Sequence, residues 1–383
     1  MGRYDDRPGA PIVIVGGYGA VGRVAARTLT SWYPARVIVA GRDPARAGEV
    51  VRSGDAARAI RVDATDPGDV ARMLGERPAV VVMCVERGNA ALARACLERG
   101  VHHVDISATA AVLNEIAELD SLAVRHAATA LLSVGVAPGL SNVLARHCVE
   151  ALPSARRVDI DLLLGMGDAH GYDSLRWVVA NLAAGNAPGR PGRTRVRLRG
   201  FGMRTVHPFP FSDQYTIRER LGLPATTRIC FDSAAVTSLL FALRSARFFG
   251  LARRLRAERL IASLFSRLHV GSSRFVVQAR AADAHGAVVS STVTGLGTAR
   301  ATGVVTALAV RRLLTGEAAP GVRHLDELVP VGPFLDELRE LGLEHGVEYG
   351  KGHGMTVHRD TAPPEDRSGP RATTVADHPP ARP

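Results

Sequence analysis

The sequence predicts an α/β fold, a doubly wound parallel sheet carrying an inserted α+β domain, on three observations. Six short runs (11–15, 36–40, 59–62, 79–84, 102–106 and 130–134) are apolar almost throughout and alternate with helix-spaced stretches such as 20–31, 89–99 and 112–126. Strands apolar on both faces belong in a parallel sheet covered by helices on each side and joined by right-handed crossovers. A glycine-rich turn comes directly after the first run. Beyond residue 155 the pattern changes: 158–164, 194–198 and 275–280 alternate as half-exposed strands do, 172–183 has helical spacing, and 273–294 predicts a long hairpin turning at Asp283 to Gly286.

Helical spacing returns over 299–314, ends at Gly316, and resumes over 333–341, predicting a segment that packs back on the first domain. The expected organisation is a dinucleotide-binding domain over 1–150, an α+β substrate and dimerisation domain over 151–295, returning helices over 296–345, and a disordered tail over 359–383. That tail is rich in Pro, Asp, Arg and Thr and has almost no apolar content.

Gly17, Gly19 and Gly22 have the G-x-G-x-x-G spacing, and they sit between a buried strand and an Ala-rich helix. That context makes the match a Rossmann-type signature: Gly17 for a tight turn, Gly19 for approach of a pyrophosphate, Gly22 for close packing of helix on strand. Tyr18, Ala20 and Val21 complete the turn, and the free N–H groups of the helix start would face the phosphates. NAD sites place an acid at the end of the second strand to take the ribose 2′-hydroxyl. Here the residues are Ala40-Gly41-Arg42-Asp43. Arg42 can pair with a 2′-phosphate and stack on adenine, which favours NADP (NADPH), while Asp43 can cap the helix beginning at Pro44. Ligands in such sheets lie at the carboxyl ends of the strands. Asp63 and Ala64 (third strand), Val85 and Glu86 (fourth), and His103, Asp105 and Ser107 (fifth) are therefore candidates, as is the GVAPGLSN turn after the sixth.

The 383 residues are 46% hydrophobic and 22% charged, an ordinary globular composition, and carry a formal net charge of +11. The sole lysine is Lys351, the basic residues otherwise being scattered arginines, and no nucleic-acid reader motif interleaves them with aromatics. A Schiff-base lysine before residue 351 and a Y-x-x-x-K pair are both excluded. Cys84, Cys96, Cys148 and Cys230 form no C-x-x-C pair, so neither zinc nor thiol redox chemistry is signalled and no metal is expected. Neither H-E-x-x-H, G-x-S-x-G nor a Walker lysine occurs. The first ten residues lack the basic-then-apolar pattern of a secretory leader, and no apolar run reaches spanning length, so the expected location is cytoplasmic.

Reduction by a nicotinamide needs a positioned acceptor, exclusion of water and one proton source. Candidate acids are His170, Tyr172 and Asp173 in the loop after the 158–164 strand, and His207, Asp213, Gln214 and Tyr215 in HPFPFSDQYT. Of these, Tyr172, Asp173 and Tyr215 are assigned the catalytic role. Asp159 and Asp161 share a strand face and are expected to meet arginines. Residues 239–268 interleave Leu, Phe and Ile with seven arginines and one acid, Glu258, and Gly250 is expected to divide them into two helices. The first reading of these helices is a cleft cover or the interface of a homodimer, and the second is contact with an anionic membrane surface or acyl chain.

GGYGAVG, GRDPARA, VDATD, VVMCVERGNAALARACLERGVHHVDIS, GVAPGLSN and ELVPVGPFLDELRELGLEHG resemble the saccharopine dehydrogenase family, specifically its saccharopine reductase type, over about 11–150 and 290–345. The resemblance implies an NADPH- or NAD-linked oxidoreductase acting on a small-molecule substrate. Some members reduce an imine formed from an amine and a carbonyl compound, and others reduce enoyl groups on lipid or polyketide chains. It further implies dinucleotide contacts at Gly17, Gly19, Val21, Gly22, Arg42, Asp63 and Val85. Residues 155–268 do not match the amino-acid substrate domain of saccharopine enzymes, so no substrate residues are implied by it.

Overall fold

The computed structural model describes residues 9–167, 172–183, 192–254, 271–351 and 354–358. The expected 359–383 tail lies outside them. The first sheet begins with β1 (Ile12–Val15), β2 (Val37–Gly41), β3 (Arg58–Arg61), β4 (Val80–Met83), β5 (His102–Asp105) and β6 (Thr129–Leu132), at the positions the apolar runs predict. A seventh strand, β13 (Gly321–His324), joins β6 from far along the chain and gives the order β13-β6-β5-β4-β1-β2-β3, parallel at every pairing. β1, β4, β5 and β6 are buried along their whole length, as strands covered on both faces must be.

Covering helices α1 (Ala20–Trp32), α2 (Pro44–Arg52), α3 (Pro67–Gly75), α4 (Asn89–Leu97), α5 (Ala110–Ala117) and α6 (Asp120–Arg125) alternate with these strands. Asp43 caps α2 by accepting from the Ala45 and Arg46 N–H groups, and Asp66 caps α3 in the same way. The stretch expected as one helix over 112–126 is two, meeting at Leu119, which packs into the core beneath α4.

The second sheet is mixed, of order β15-β14-β12-β11-β7-β10-β9-β8. It comprises β7 (Arg157–Leu164), β8 (Thr194–Leu198), β9 (Gly202–Pro208), β10 (Ala225–Phe231), β11 (Arg274–Ala282), β12 (Ala287–Leu296), β14 (Glu344–Lys351) and β15 (Gly354–His358). Only β7 and β10 pair in parallel. The hairpin of β11 and β12 turns at Asp283, whose carboxylate accepts from the N–H groups of His285 and Ala287. Asp161 is fully buried and held by Arg228 and Arg280, as its strand position suggests.

Two helices join the sheets into one core. α7 (Ser141–Ala151) leaves the turn after β6 and lies on β11 and β12, and α12 (Thr298–Leu314) packs along α1. A Cβ on Gly303 would come within 2.6 Å of Val24 Cβ, so glycine there sets how closely α12 approaches α1. Among the described residues the remaining helices are α8 (Tyr172–Ala183), α9 (Asp213–Leu221), α10 (Ala234–Ser245), α11 (Phe248–Arg254), α13 (Leu325–Leu328) and α14 (Val331–Glu340).

Two further expectations are corrected. The break in the 239–268 region falls at Arg247, which adopts φ +58, and Gly250 lies inside α11; residues 255–270 lie outside the described residues. The chain after 296 also supplies strands as well as helices: β13 extends the first sheet, and β14 and β15 extend the second.

Candidate active site

The glycines of the first turn divide their work differently from the spacing argument. The left-handed residue is Gly16 (φ +78), where a Cβ would meet Val85 Cγ1 at 2.7 Å. Gly17 has no positive φ. Its missing side chain makes room for Val39 Cγ1 (2.7 Å) and the Ile14 carbonyl (2.9 Å). Gly22 packs against the Gly16 carbonyl, which a Cβ would approach to 2.4 Å. Around Gly19, by contrast, a Cβ would have only the Gly16 carbonyl (3.2 Å) within 4 Å. The Gly19 face of the turn is therefore open, and no side chain caps α1, whose N–H groups at Ala20 and Val21 begin the helix there. An open backbone face at an uncapped helix start fits a pyrophosphate.

Tyr18 lies between this turn and the end of β2. Its ring covers Gly41, where a Cβ would come within 2.3 Å of Tyr18 Cε1. Its hydroxyl accepts from the Asp43 N–H at 3.3 Å, and the Arg46 guanidinium sits 4.8 Å above the ring centroid. Arg42 comes just after β2 and is exposed. Asp63 accepts from Thr65 N (3.0 Å) and Oγ1 (2.7 Å), and these bonds hold its carboxyl below the usual range, helped by the charges of Arg42 and Arg61. Arg61 is bound to Asp69 at 3.1 Å, which leaves the exposed Arg42 beside the end of β2 as the cation that fits a 2′-phosphate. Ala64 is buried, and its carbonyl is 2.8 Å from where a Cβ on Gly88 would stand.

At the ends of β4 and β5 the polar groups are tied together. Glu86 accepts from Ser107 Oγ at 2.5 Å and from Thr109 Oγ1 at 3.0 Å. Beneath it Asp105 accepts from Asn89 Nδ2 and from the Ser107 N–H, both at 2.8 Å. The Asn89 amide also donates to the Val85 carbonyl at 3.1 Å, fixing the segment that carries Val85. Burial, reinforced by Asp105, pushes the Cys84 thiol up to about 12, so this cysteine is no nucleophile at neutral pH.

The turn after β6 is bonded to the second domain. Asn142 accepts from the Gly139 N–H (3.0 Å) and donates to Thr216 Oγ1 on α9 (2.7 Å). Asp213, at the start of α9, accepts from Thr227 Oγ1 on β10 at 2.6 Å and is completely buried, which raises its pKa. Ser133 and His324 meet at 2.8 Å across β6 and β13. These bonds were not legible in the sequence, because their members lie up to 191 residues apart.

The candidate acids fare unequally. Tyr172 and Asp173 open α8, but their side chains, and all of His170, lie outside the described residues. Tyr215 is on the outer side of α9, 43% exposed. Gln214 donates its amide to the carbonyls of Phe209 and Phe211, and His207 stacks on Phe241. Asp213 is buried away from solvent. Among the described residues no group of acids, histidines and cysteines is placed to hold a metal, and no helix is long and apolar enough to cross a membrane.

Comparison with known proteins agrees with this geometry. Residues 12–151 match the family model described as the saccharopine dehydrogenase NADP binding domain. Among solved structures the chain is similar to apo saccharopine dehydrogenase (L-Glu forming) from Saccharomyces cerevisiae, with TM-score 0.58 and 15% identity over 88% of this chain and 100% of that one. It is also similar to dipicolinate-bound dihydrodipicolinate reductase from Paenisporosarcina sp. TG-14, with TM-score 0.40 and 10% identity over 84% of this chain and 100% of that one. At such identity the first likeness is one of fold, and the second is too loose to add to it.

Proposed function

We propose that the chain is an oxidoreductase of the saccharopine dehydrogenase kind, whose NADP binding domain residues 12–151 match, and that it transfers a hydride from NADPH to a C=N bond of a small or medium metabolite. Carbonyl and alkene acceptors rank second. The observation that carries the reading is the open backbone at Gly19 together with Arg42 at the end of β2.

When bound, NADPH supplies the hydride, and the protein supplies position, dryness and a proton. Gly19 and the start of α1 receive the pyrophosphate, Arg42 takes the 2′-phosphate, and Tyr18 walls the space between them. Val85, on the segment pinned by Asn89, and Ser107, held by Glu86, bound the nicotinamide side. Ala64 shapes the adenine end. The proton comes from the second domain, from Tyr172 or Asp173 at the start of α8 or from Tyr215 on α9. Tyr172→Phe, Asp173→Asn and Tyr215→Phe are compared by kcat: the donor's variant loses about a hundredfold or more with little change in KM, and three unaffected variants remove this assignment.

NADPH is preferred over NADH. Loss of the charge-assisted pair in Arg42→Ala costs about 1.5–3 kcal/mol, roughly ten- to a hundredfold in NADPH affinity, with NADH affinity unchanged. Calorimetric titration of both cofactors checks this. Equal affinities in the unmodified protein would contradict it.

A second reading, reduction of a lipid or polyketide-like chain, is favoured by one observation. Leu239, Phe248 and Leu251 on α10 and α11 are 59%, 44% and 57% exposed, an apolar surface beside arginines. In the first reading the protein is instead a cytoplasmic homodimer, with this surface as its interface and not a lipid contact. Sedimentation of a Leu239→Asp, Leu251→Asp variant, monomeric where the unmodified protein is dimeric, is the expected result.

A further inference from the structure

β7 and β10 run in parallel, and their carboxyl ends are tied to the chain just before β11 by one side chain, Asp232. Its Oδ2 accepts from the Ser272 N–H at 2.6 Å, and its Oδ1 accepts from the Met166 N–H at 3.3 Å and the Ser233 N–H at 2.9 Å. Two backbone bonds close the same knot: the Asp232 N–H donates to the Leu164 carbonyl at 3.1 Å, and the Gly167 N–H donates to the Ser272 carbonyl at 2.9 Å. Hydrogen bonds to a carboxylate are charge-assisted and stronger than neutral ones. Missing side chains let the segments close. A Cβ on Gly167 would collide with the Gly271 carbonyl, and Gly271, at φ +119, would carry one 2.5 Å from Asp232 Oδ2.

Capping α10 does not account for this knot. That helix has its cap in Ser233, whose Oγ accepts from the Val236 N–H at 3.3 Å, and two of the three Asp232 bonds reach chain 40 and 66 residues away. What the knot fixes is the segment 165–167, from which the chain goes on to enter α8 at Tyr172. Further along, α8 is seated by Trp177, whose ring lies 5.6 Å from that of Phe209 and 4.9 Å from that of Phe211, and by the buried Val179 and Leu182. The first turn of a helix has no intrahelical acceptors for its N–H groups, so its placement depends on how the chain before it is held.

We propose that Asp232 is a positioning residue for the hydride transfer: by clamping 165–167 onto 271–272 it sets where α8 starts, and so where Tyr172 and Asp173 stand relative to the acceptor. This rests on the reductase reading and, of the proton donors weighed there, takes those on α8. Misplacing a reacting group by about 1 Å costs about a hundredfold in rate. A clamp of this kind, remote from the chemistry, therefore acts on turnover and leaves the binding of the dinucleotide alone.

Two variants of the full chain test it. Asp232→Asn keeps the shape of the carboxylate but turns an N–H group towards that of Ser272, and Gly167→Ala keeps the carboxylate but forces the two loops apart. Each is checked for folding by its melting curve and for dinucleotide binding by the shift that NADPH gives. With an amine and carbonyl pair that the unmodified protein turns over, kcat falls about tenfold or more in both variants while the KM for NADPH stays the same. Amide hydrogen exchange in Asp232→Asn speeds about tenfold or more over 165–176 and is unchanged over 213–221. A double-mutant cycle separates positioning from general weakening. Added to Tyr172→Phe or Asp173→Asn, whichever removes the donor, Asp232→Asn brings little further loss, because the clamp then has no donor left to place. Losses that multiply, an unaffected kcat, unchanged exchange over 165–176, or Tyr215 proving to be the donor each overturn the proposal and leave the reductase reading standing. Absence of turnover in the unmodified protein removes that reading, and this proposal with it.

Discussion

Gly19 differs from its neighbours in what its missing side chain would touch. A Cβ at Gly17 or Gly22 runs into backbone or a buried valine at under 3 Å, whereas at Gly19 it has only the Gly16 carbonyl nearby, at 3.2 Å. Gly19→Val should therefore fold and melt near the unmodified protein, yet lose the stabilisation that NADPH confers through linkage, because the branched side chain occupies the pyrophosphate space. Melting curves with and without NADPH check this, and a preserved shift would place the phosphates elsewhere. At this scale the sequence was informative where spacing and strand context coincide. It was misleading where a φ angle decides, since nothing in G-G-Y-G-A-V-G distinguishes Gly16 as the left-handed residue. His207 and Gln214 read as candidate acids because a polar residue in a loop looks alike whether it faces a ligand, stacks on Phe241 or holds the Phe209 and Phe211 carbonyls.

Among the elements, α1 is held to the loop after α2 by Asp55. That carboxylate receives Arg27 Nε at 2.8 Å and Arg23 Nε at 3.0 Å, and Thr30 Oγ1 donates to the Asp55 backbone carbonyl at 3.0 Å. The Arg27 hydrogen bond chiefly holds the Asp55 carboxyl at about 2, below its unfolded value near 3.9. A depressed carboxyl contributes stability that is complete above about pH 4 and is lost as the pH falls towards 2. Because both arginines are partly exposed, Asp55→Asn costs only about 1–2 kcal/mol at pH 7. The variant and the unmodified protein should converge in stability near pH 2. Urea denaturation across that range measures it, and a pH-independent difference would remove the ionic account. This clamp was invisible in the sequence, since Asp55 sits in a polar loop whose partners are on another helix. β13 and β14 escaped for a related reason: both are glycine-containing and partly charged, β13 is only four residues long, and they become strands because a sheet edge is offered to them. The strands of the first sheet were legible because burial on both faces leaves only apolar β-branched residues possible.

For the molecule as a whole, the two sheets share α7 and α12, and the start of α9 is bonded to the turn after β6 through Asn142 and Thr216. The second domain is thus anchored at the carboxyl edge of the parallel sheet, where the nicotinamide half of the dinucleotide belongs. That arrangement could not be read from the chain, because contacts between domains leave no periodic trace in either. The reductase account rests on turnover at that edge, and the direct measurement is NADPH oxidation, followed by loss of its fluorescence, with a panel of amine and carbonyl pairs, ketones and enoyl compounds. The account predicts that at least one amine and carbonyl pair drives oxidation well above the substrate-free rate, and that the Gly19→Val variant does not respond. Tight NADPH binding with no member of the panel raising the rate would contradict it and leave a protein that binds the dinucleotide without using it.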